Sequence, residues 1–167
     1  MTRRPGRSIL APGARPEIAE RRKPLAKESH IDIMFQGGMK FVGHSGRAGT
    51  PVQLDFAREE EEGIDGYTPM ELLLTSLAGC SGQVAVGLLK RMGQEVKDLT
   101  VRARGTKKEI HPAVFTEIEL EFEFRGGRLE PASVEKALAL SEDRYCPVWA
   151  MVKMAAPIKA AYRLLPE

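Results

Sequence analysis

The ligands that zinc prefers are scarce in this chain, which contains two cysteines and three histidines among 167 residues. No histidine lies within four residues of a cysteine, so the ligand spacing of a zinc site is missing. The composition therefore predicts no metal centre. It leaves two thiols, those of Cys80 and Cys146, as the groups with distinctive chemistry.

A nucleic-acid-binding surface and a secretory signal are also missing. Residues 1–30 carry eight Lys or Arg against three Glu, whereas the whole chain has a net charge of +2. The remainder is slightly acidic and has no basic-aromatic pattern, which argues against nucleic acid as a partner. The early segment SILAPGA lacks the apolar core of a secretory signal. We predict a cytoplasmic protein with a disordered basic leader, residues 1–28, and a single domain, residues 29–167.

One apolar stretch, residues 72–89, has no charge over 18 residues, which is the lower limit for a membrane span. It contains polar residues and three glycines, and no other segment is apolar enough to join it in a membrane. We therefore predict a buried helix and no membrane partner. Small residues along it would let a second helix pack closely: Thr75, Ala78, Gly79, Gly82 and Gly87.

The start of this helix is marked by the sequence YTPME. Thr68 fits the N-cap, Pro69 the first helical position and Glu71 the third, which is the capping-box pattern. We predict a helix that begins at Pro69 and ends near Met92 and Gly93.

Short alternating segments before the helix predict three strands, near residues 29–36, 39–44 and 51–56. An acidic loop, residues 57–67, follows them and is interpreted as a solvated surface rather than a metal site. Glycine-rich turns separate the strands, as is usual for hairpins.

Two longer segments after the helix, residues 98–109 and 113–126, alternate with period two and predict a second hairpin, with His111 in its turn. Glutamates share one face of the second segment, where they would face Arg102 and Arg104 across the pair.

The last third of the chain predicts two helices and a strand. One helix begins at Pro131, and a short one has Cys146 as its N-cap and Pro147 as its first residue. Residues 158–165 form a final strand. The whole order predicts an α+β fold with antiparallel sheets.

Three segments carry a family resemblance: TPMELLLTSLAGCSGQVAVGLLKRMGQEVKDLTV, HPAVFTEIELEFEF and LSEDRYCPVWAMVKMA. Residues 30–165 resemble OsmC-like proteins, the osmotically inducible and organic hydroperoxide resistance family. The resemblance implies an intertwined homodimer with sheets wrapped around central cysteine-bearing helices. It also implies that Cys80 reduces an organic hydroperoxide, that Cys146 then forms a disulfide with it, and that an external dithiol, often lipoyl-linked, restores both.

The residues alone favour a different nucleophile. A helix N-terminus or a nearby cation lowers a thiol pKa, and Cys146 lies at a predicted helix start with Arg144 close in sequence. Cys80 lies in mid-helix, far from either dipole end. The position of Cys146 at a helix start therefore favours it as the thiolate, whereas the resemblance assigns the attack on the hydroperoxide to Cys80.

The hydroperoxide-resistance branch opens the cysteine helix with an Asn-Pro-Glu motif whose Glu pairs with an Arg that polarises the thiolate. Here Met70 follows Pro69, and Glu71 comes one residue later, about 100° further around the helix. Glu71 is thus both a candidate catalytic residue and a candidate capping residue. Arg47 and Arg58 are the candidate partners.

The functional prediction is thiol-dependent reduction of organic hydroperoxides in oxidative stress defence, without a bound cofactor. The alternative is a non-catalytic or redox-sensing protein that binds a small hydrophobic ligand in a groove between subunits. A third interpretation places both cysteines in the core as packing residues.

Overall fold

The computed structural model describes residues 29–47, 49–56 and 65–166, and the predicted basic leader lies outside these ranges. Its first element is an antiparallel sheet of β1 (Ile31–Gly37), β2 (Lys40–Ser45) and β3 (Val52–Leu54), in that order. Gly37 and Gly38 have positive φ angles of 104° and 58°, which explains why glycines form the β1–β2 turn. The three predicted strands are confirmed to within about two residues.

One face of this first sheet is apolar. Cross-strand register places Phe35 opposite Phe41, with ring centroids 5.4 Å apart, and Ile33 opposite Gly43. Their neighbours on the same face are Ile31 and Val52. Ile31, Ile33 and Phe35 are each more than half exposed, so this face is left largely uncovered.

The predicted long helix is confirmed as α1 (Pro69–Arg91). Thr68 Oγ1 accepts the backbone N–H of Glu71, and the Glu71 carboxylate accepts the backbone N–H of Thr68 at 2.7 Å. Met92 caps its C-terminus, and Gly93 follows with a positive φ of 73°. These contacts form the capping box that the sequence predicts.

The second sheet contains β4 (Asp98–Lys107), β5 (Phe115–Arg125) and β6 (Ile158–Leu165), in that order. The β4–β5 hairpin is antiparallel as predicted, but β6 pairs with β5 in parallel. The prediction of purely antiparallel sheets is therefore wrong. The reason is the connection: helices between β5 and β6 carry the chain back to the end of the sheet where β5 began.

Charged side chains cover the outer face of the second sheet. Arg102 contacts Glu123 across the hairpin, as the predicted charge ladder requires. The parallel strand β6 adds Arg163, which lies 3.3 Å from Glu123 and also contacts Glu121. These contributions from β6 were not predicted, because they depend on the parallel pairing.

The β5–β6 connection consists of α2 (Pro131–Leu140), a π-helical turn (Ser141–Tyr145) and α3 (Pro147–Val152). Both predicted helix starts, at Pro131 and Pro147, are confirmed. The π-helical turn was not predicted.

The core lies between α1, the inner face of the second sheet and α2–α3. Leu77 and Leu89 of α1, Phe122 of β5 and Trp149 of α3 are each no more than 1% exposed. Helix α1 is long and apolar enough to cross a membrane, and one third of its most apolar 18-residue window is buried inside the subunit. Such a helix is equally typical of the core of a soluble protein.

The small residues of α1 have two different surroundings. A Cβ on Gly82 would lie 3.2 Å from Val101 of β4, so Gly82 allows a strand, not a helix, to approach. A Cβ on Gly79 or Gly87 would meet nothing within 4 Å. No helix of the described chain packs on α1 at Gly79 or Gly87, where close approach of a second helix is predicted, and these two glycines face open space.

Candidate active site

The two cysteines, far apart in sequence, meet where α1 crosses α3. Cys80 lies in the middle of α1 and is partly exposed, whereas Cys146 is the N-cap of α3 and is 1% exposed. Both cysteines are free thiols, and the Cys80 thiol is close enough to Cys146 to influence its pKa. The fold thus places one accessible and one buried thiol side by side.

Backbone hydrogen bonds hold Cys146 in this position. Its N–H donates to the carbonyl of Ser141 at 2.9 Å, which closes the π-helical turn. Its Sγ accepts the backbone N–H of Trp149 at 3.4 Å, which confirms Cys146 as the predicted N-cap. The sulfur is therefore fixed on the side of α3 that packs against α1.

The electrostatics of Cys146 differ from the sequence prediction. Burial is the largest of the causes that raise the pKa of the Cys146 thiol to about 11, and the neighbouring Cys80 thiol also contributes to this increase. The backbone N–H groups of Trp149 and Val148 act in the opposite direction but do not offset burial. The prediction that the helix start makes Cys146 the low-pKa thiolate is therefore wrong.

Arg144 does not compensate for this burial. Its guanidinium lies 5.5 Å from the centre of the Tyr145 ring, and both side chains are exposed. The Arg144 guanidinium is not among the groups that act on the pKa of the Cys146 thiol. Proximity in sequence to Cys146 was thus a misleading signal.

Glu71 serves as the capping residue of α1. It precedes Cys80 by nine residues, which corresponds to about 13 Å along the helix axis. Its carboxylate binds the backbone N–H and hydroxyl of Thr68, and these hydrogen bonds lower the pKa of Glu71. The structure does not bring Glu71 to the thiols, so no contact in it supports the predicted catalytic role.

Of the two candidate arginines, only Arg47 lies in the described part of the chain, and no contact with either thiol is seen for it. Arg47 is exposed after β2, where its backbone N–H donates to the hydroxyl of Ser45 at 3.2 Å. Arg58 lies outside the described residues. Within the described ranges, no arginine is among the groups that influence the Cys146 thiol.

Three buried polar groups near the thiol pair were not predicted as part of the site. Ser81 and Ser141 are fully buried, and the Ser141 hydroxyl lies 3.5 Å from the carbonyl oxygen of Ser81. The indole N–H of Trp149 is the one buried side-chain polar atom without a hydrogen-bond partner in the described part of the chain. The serine that directly follows Cys80 was the sequence signal that could have indicated these buried polar groups.

An open groove of about 780 Å³ runs along α1. Its floor is the α1 stripe that includes Gly79, Gln83 and Gly87, and its wall is formed by Leu99 and Val101 of β4. Cys80, about 100° around the helix from Gly79, is not among the residues that line the groove. The groove is mostly apolar, with Lys90 at one end.

Comparisons with known proteins agree with this fold. A family model described as OsmC-like protein matches residues 60–161. Protein YhfA of Escherichia coli K12 is 32% identical over 133 residues, which covers 80% of this chain and 96% of that protein.

Solved structures extend the similarity. A hypothetical protein from Aquifex aeolicus is 29% identical, with a TM-score of 0.74 and coverage of 85% of this chain and 99% of that one. The organic hydroperoxide resistance protein OhrB of Bacillus subtilis is 15% identical, with a TM-score of 0.57 and coverage of 81% and 98%. At that identity the likeness to OhrB shows the fold alone.

Proposed function

Because this chain belongs to the OsmC-like family, we propose that it is a peroxidase that reduces organic hydroperoxides with Cys80 and Cys146. The observation that carries the proposal is the meeting of one partly exposed and one buried thiol where α1 packs against α3, with Cys80 lying against the core cluster that contains Cys146. Proteins named for hydroperoxide resistance share this fold.

The first step is attack by the Cys80 thiolate on one peroxide oxygen. A sulfur–oxygen bond forms, the oxygen–oxygen bond breaks, and the alcohol leaves after gaining a proton, which produces a sulfenic acid on Cys80. Partial exposure allows a substrate to reach Cys80, whereas burial protects Cys146. The protonated Cys146 can donate its S–H to the thiolate of Cys80.

The second step is closure of a disulfide. The Cys146 sulfur attacks the Cys80 sulfur, the sulfur–oxygen bond breaks, and the oxygen leaves as water. An external dithiol, of the lipoyl type, then reduces the disulfide by thiol exchange and is itself oxidised. This cycle requires no bound cofactor and suits a reducing compartment such as the cytoplasm.

The proposal includes a homodimer. The apolar face of the first sheet, around Ile33 and Phe35, is exposed in one subunit, and so is the glycine stripe of α1. Exposed apolar surface of this extent favours association. A second copy that covers both surfaces would form an interface of the obligate class, which buries more than about 2,000 Å² in total.

The test separates the roles of the two thiols. Cys146→Ser protein treated with one equivalent of cumene hydroperoxide should stop at a sulfenic acid that a sulfenate-selective reagent traps. Cys80→Ser protein should remain reduced, and the wild type should form an intrasubunit disulfide that dihydrolipoamide reverses. Trapping only in Cys80→Ser would reverse the assigned roles. Thiols that do not react in any of the three proteins would refute the peroxidase.

A second candidate function is supported by the groove beside α1. A mostly apolar space of about 780 Å³ is of the size that holds a small hydrophobic ligand. A non-catalytic or redox-sensing protein of this kind would bind such a ligand without turnover. Repeated consumption of hydroperoxide in the presence of a dithiol distinguishes the enzyme from this alternative.

A further inference from the structure

Two buried serines lie behind the thiol pair, and they have different partners. The Ser81 hydroxyl donates within its own helix, to the carbonyls of Leu77 at 2.8 Å and Ala78 at 3.1 Å. The Ser141 hydroxyl instead reaches across from the π-helical turn to the carbonyl of Ser81, the residue after Cys80. Both serines have no exposed surface.

Ser141 is therefore linked to both cysteine segments. Its carbonyl accepts the backbone N–H of Cys146 at 2.9 Å, and its hydroxyl is directed to the backbone next to Cys80. The first bond spans five residues, which is the π-type spacing, and turns of this type occur frequently at functional sites. Since the proposed function requires the two sulfurs to meet, we propose that Ser141 is a positioning residue for disulfide closure.

The length of the hydroxyl contact indicates when it acts. At 3.5 Å it is long for an O–H···O hydrogen bond, which is strongest below about 3 Å. The two sulfurs of a disulfide lie about 2.05 Å apart, closer than two free thiols, so closure draws the backbone around Cys80 towards the π-helical turn. The Ser141 hydroxyl then makes a shorter bond in the oxidised protein than in the reduced protein, and this difference favours the disulfide.

Ser141→Ala tests the inference, and Ser81→Ala is the matched control. Both substitutions remove one fully buried hydroxyl from neighbouring positions, but only the first removes a contact between the two cysteine segments. One neutral hydrogen bond gained in one state changes an equilibrium by about fivefold. We expect Ser141→Ala to shift the disulfide equilibrium with dihydrolipoamide about fivefold towards the dithiol and to slow closure similarly, while the Ser81→Ala values stay near wild type.

The readouts separate positioning from general destabilisation. Consumption of the first equivalent of cumene hydroperoxide, which reports attack by Cys80, should be unchanged in Ser141→Ala. Closure is followed by the fluorescence of Trp149, the one tryptophan of the chain, and by the yield of trapped sulfenic acid. If Ser141→Ala does not fold, the isosteric pair Ser141→Thr and Ser141→Val replaces it, and only the threonine variant should close at the wild-type rate.

Equal closure rates and equilibria in Ser141→Ala and Ser81→Ala would overturn the positioning role. Equal rates in the threonine and valine variants would do the same. Absence of a disulfide in the wild-type protein would instead refute the proposed function from which this inference starts, so the two failures are distinguishable.

Discussion

Selective alkylation of the native protein should modify Cys80 and leave Cys146 intact. The pKa of Cys146 is raised to about 11, so at pH 8 about one molecule in a thousand carries the thiolate at this position. An ordinary thiol with a pKa of about 8.5 is about one quarter ionised at the same pH. Ionisation alone therefore slows alkylation of Cys146 about 250-fold, and the burial of its side chain slows it further.

The assay is a time course with isotopically light iodoacetamide, followed by denaturation and labelling with the heavy reagent. Mass spectrometry of the two cysteine peptides then gives the rate at each site. Denatured protein is the control, in which both thiols should react at similar rates. Modification of Cys146 in the native protein at a rate equal to or above that of Cys80 would refute the argument from burial.

Three further predictions concern stability and assembly. The folded protein holds the proton of Cys146 more tightly than the unfolded chain does. The contribution of this thiol to stability is therefore complete below about pH 8.5 and decreases as the pH rises towards about 11. Urea unfolding at pH 7 and pH 10 should show this loss of stability in the wild type and not in Cys146→Ala. Glu71→Ala should cost about 1 kcal/mol of unfolding free energy at pH 7, because it removes half of the capping box. The variant should still consume the first equivalent of hydroperoxide at the wild-type rate. A loss of this reactivity would restore a catalytic role for Glu71. Gly79→Leu adds a side chain where one chain leaves open space, so sedimentation should show loss of the proposed dimer. The control Lys136→Leu, on the exposed surface of α2, should retain the dimer. A wild-type monomer at micromolar concentration would contradict the dimer itself.

Local signals predicted the elements of the fold well. Thr68 and Glu71 marked the start of α1, and Pro131 and Pro147 marked the starts of α2 and α3, because capping and proline preferences act within one turn. The direction of β6 was not predictable in this way. It depends on how the intervening helices cross the sheet, which is a tertiary property.

The candidate site was predicted in part. Residue patterns identified Cys80 and Cys146, but the rule that a helix start lowers a thiol pKa led to the wrong expectation for Cys146. Burial at the crossing of α1 and α3 could not be read from the local sequence, and it outweighs the N–H groups of a six-residue helix. The same limit applies to Ser141, since its role depends on a contact across 60 residues.

The burial that overturns the simple prediction for Cys146 is useful to the proposed cycle. A thiol that keeps its proton does not compete with Cys80 for the peroxide, because the thiolate is the attacking form. During closure, the oxygen of the sulfenic acid must leave as water and therefore needs a proton. The S–H of Cys146, held against Cys80, is a source of that proton at the reacting atoms. The packing of α3 on α1 thus has two effects in the proposed cycle. It keeps Cys146 from attacking the peroxide in place of Cys80, and it provides the proton that disulfide closure consumes.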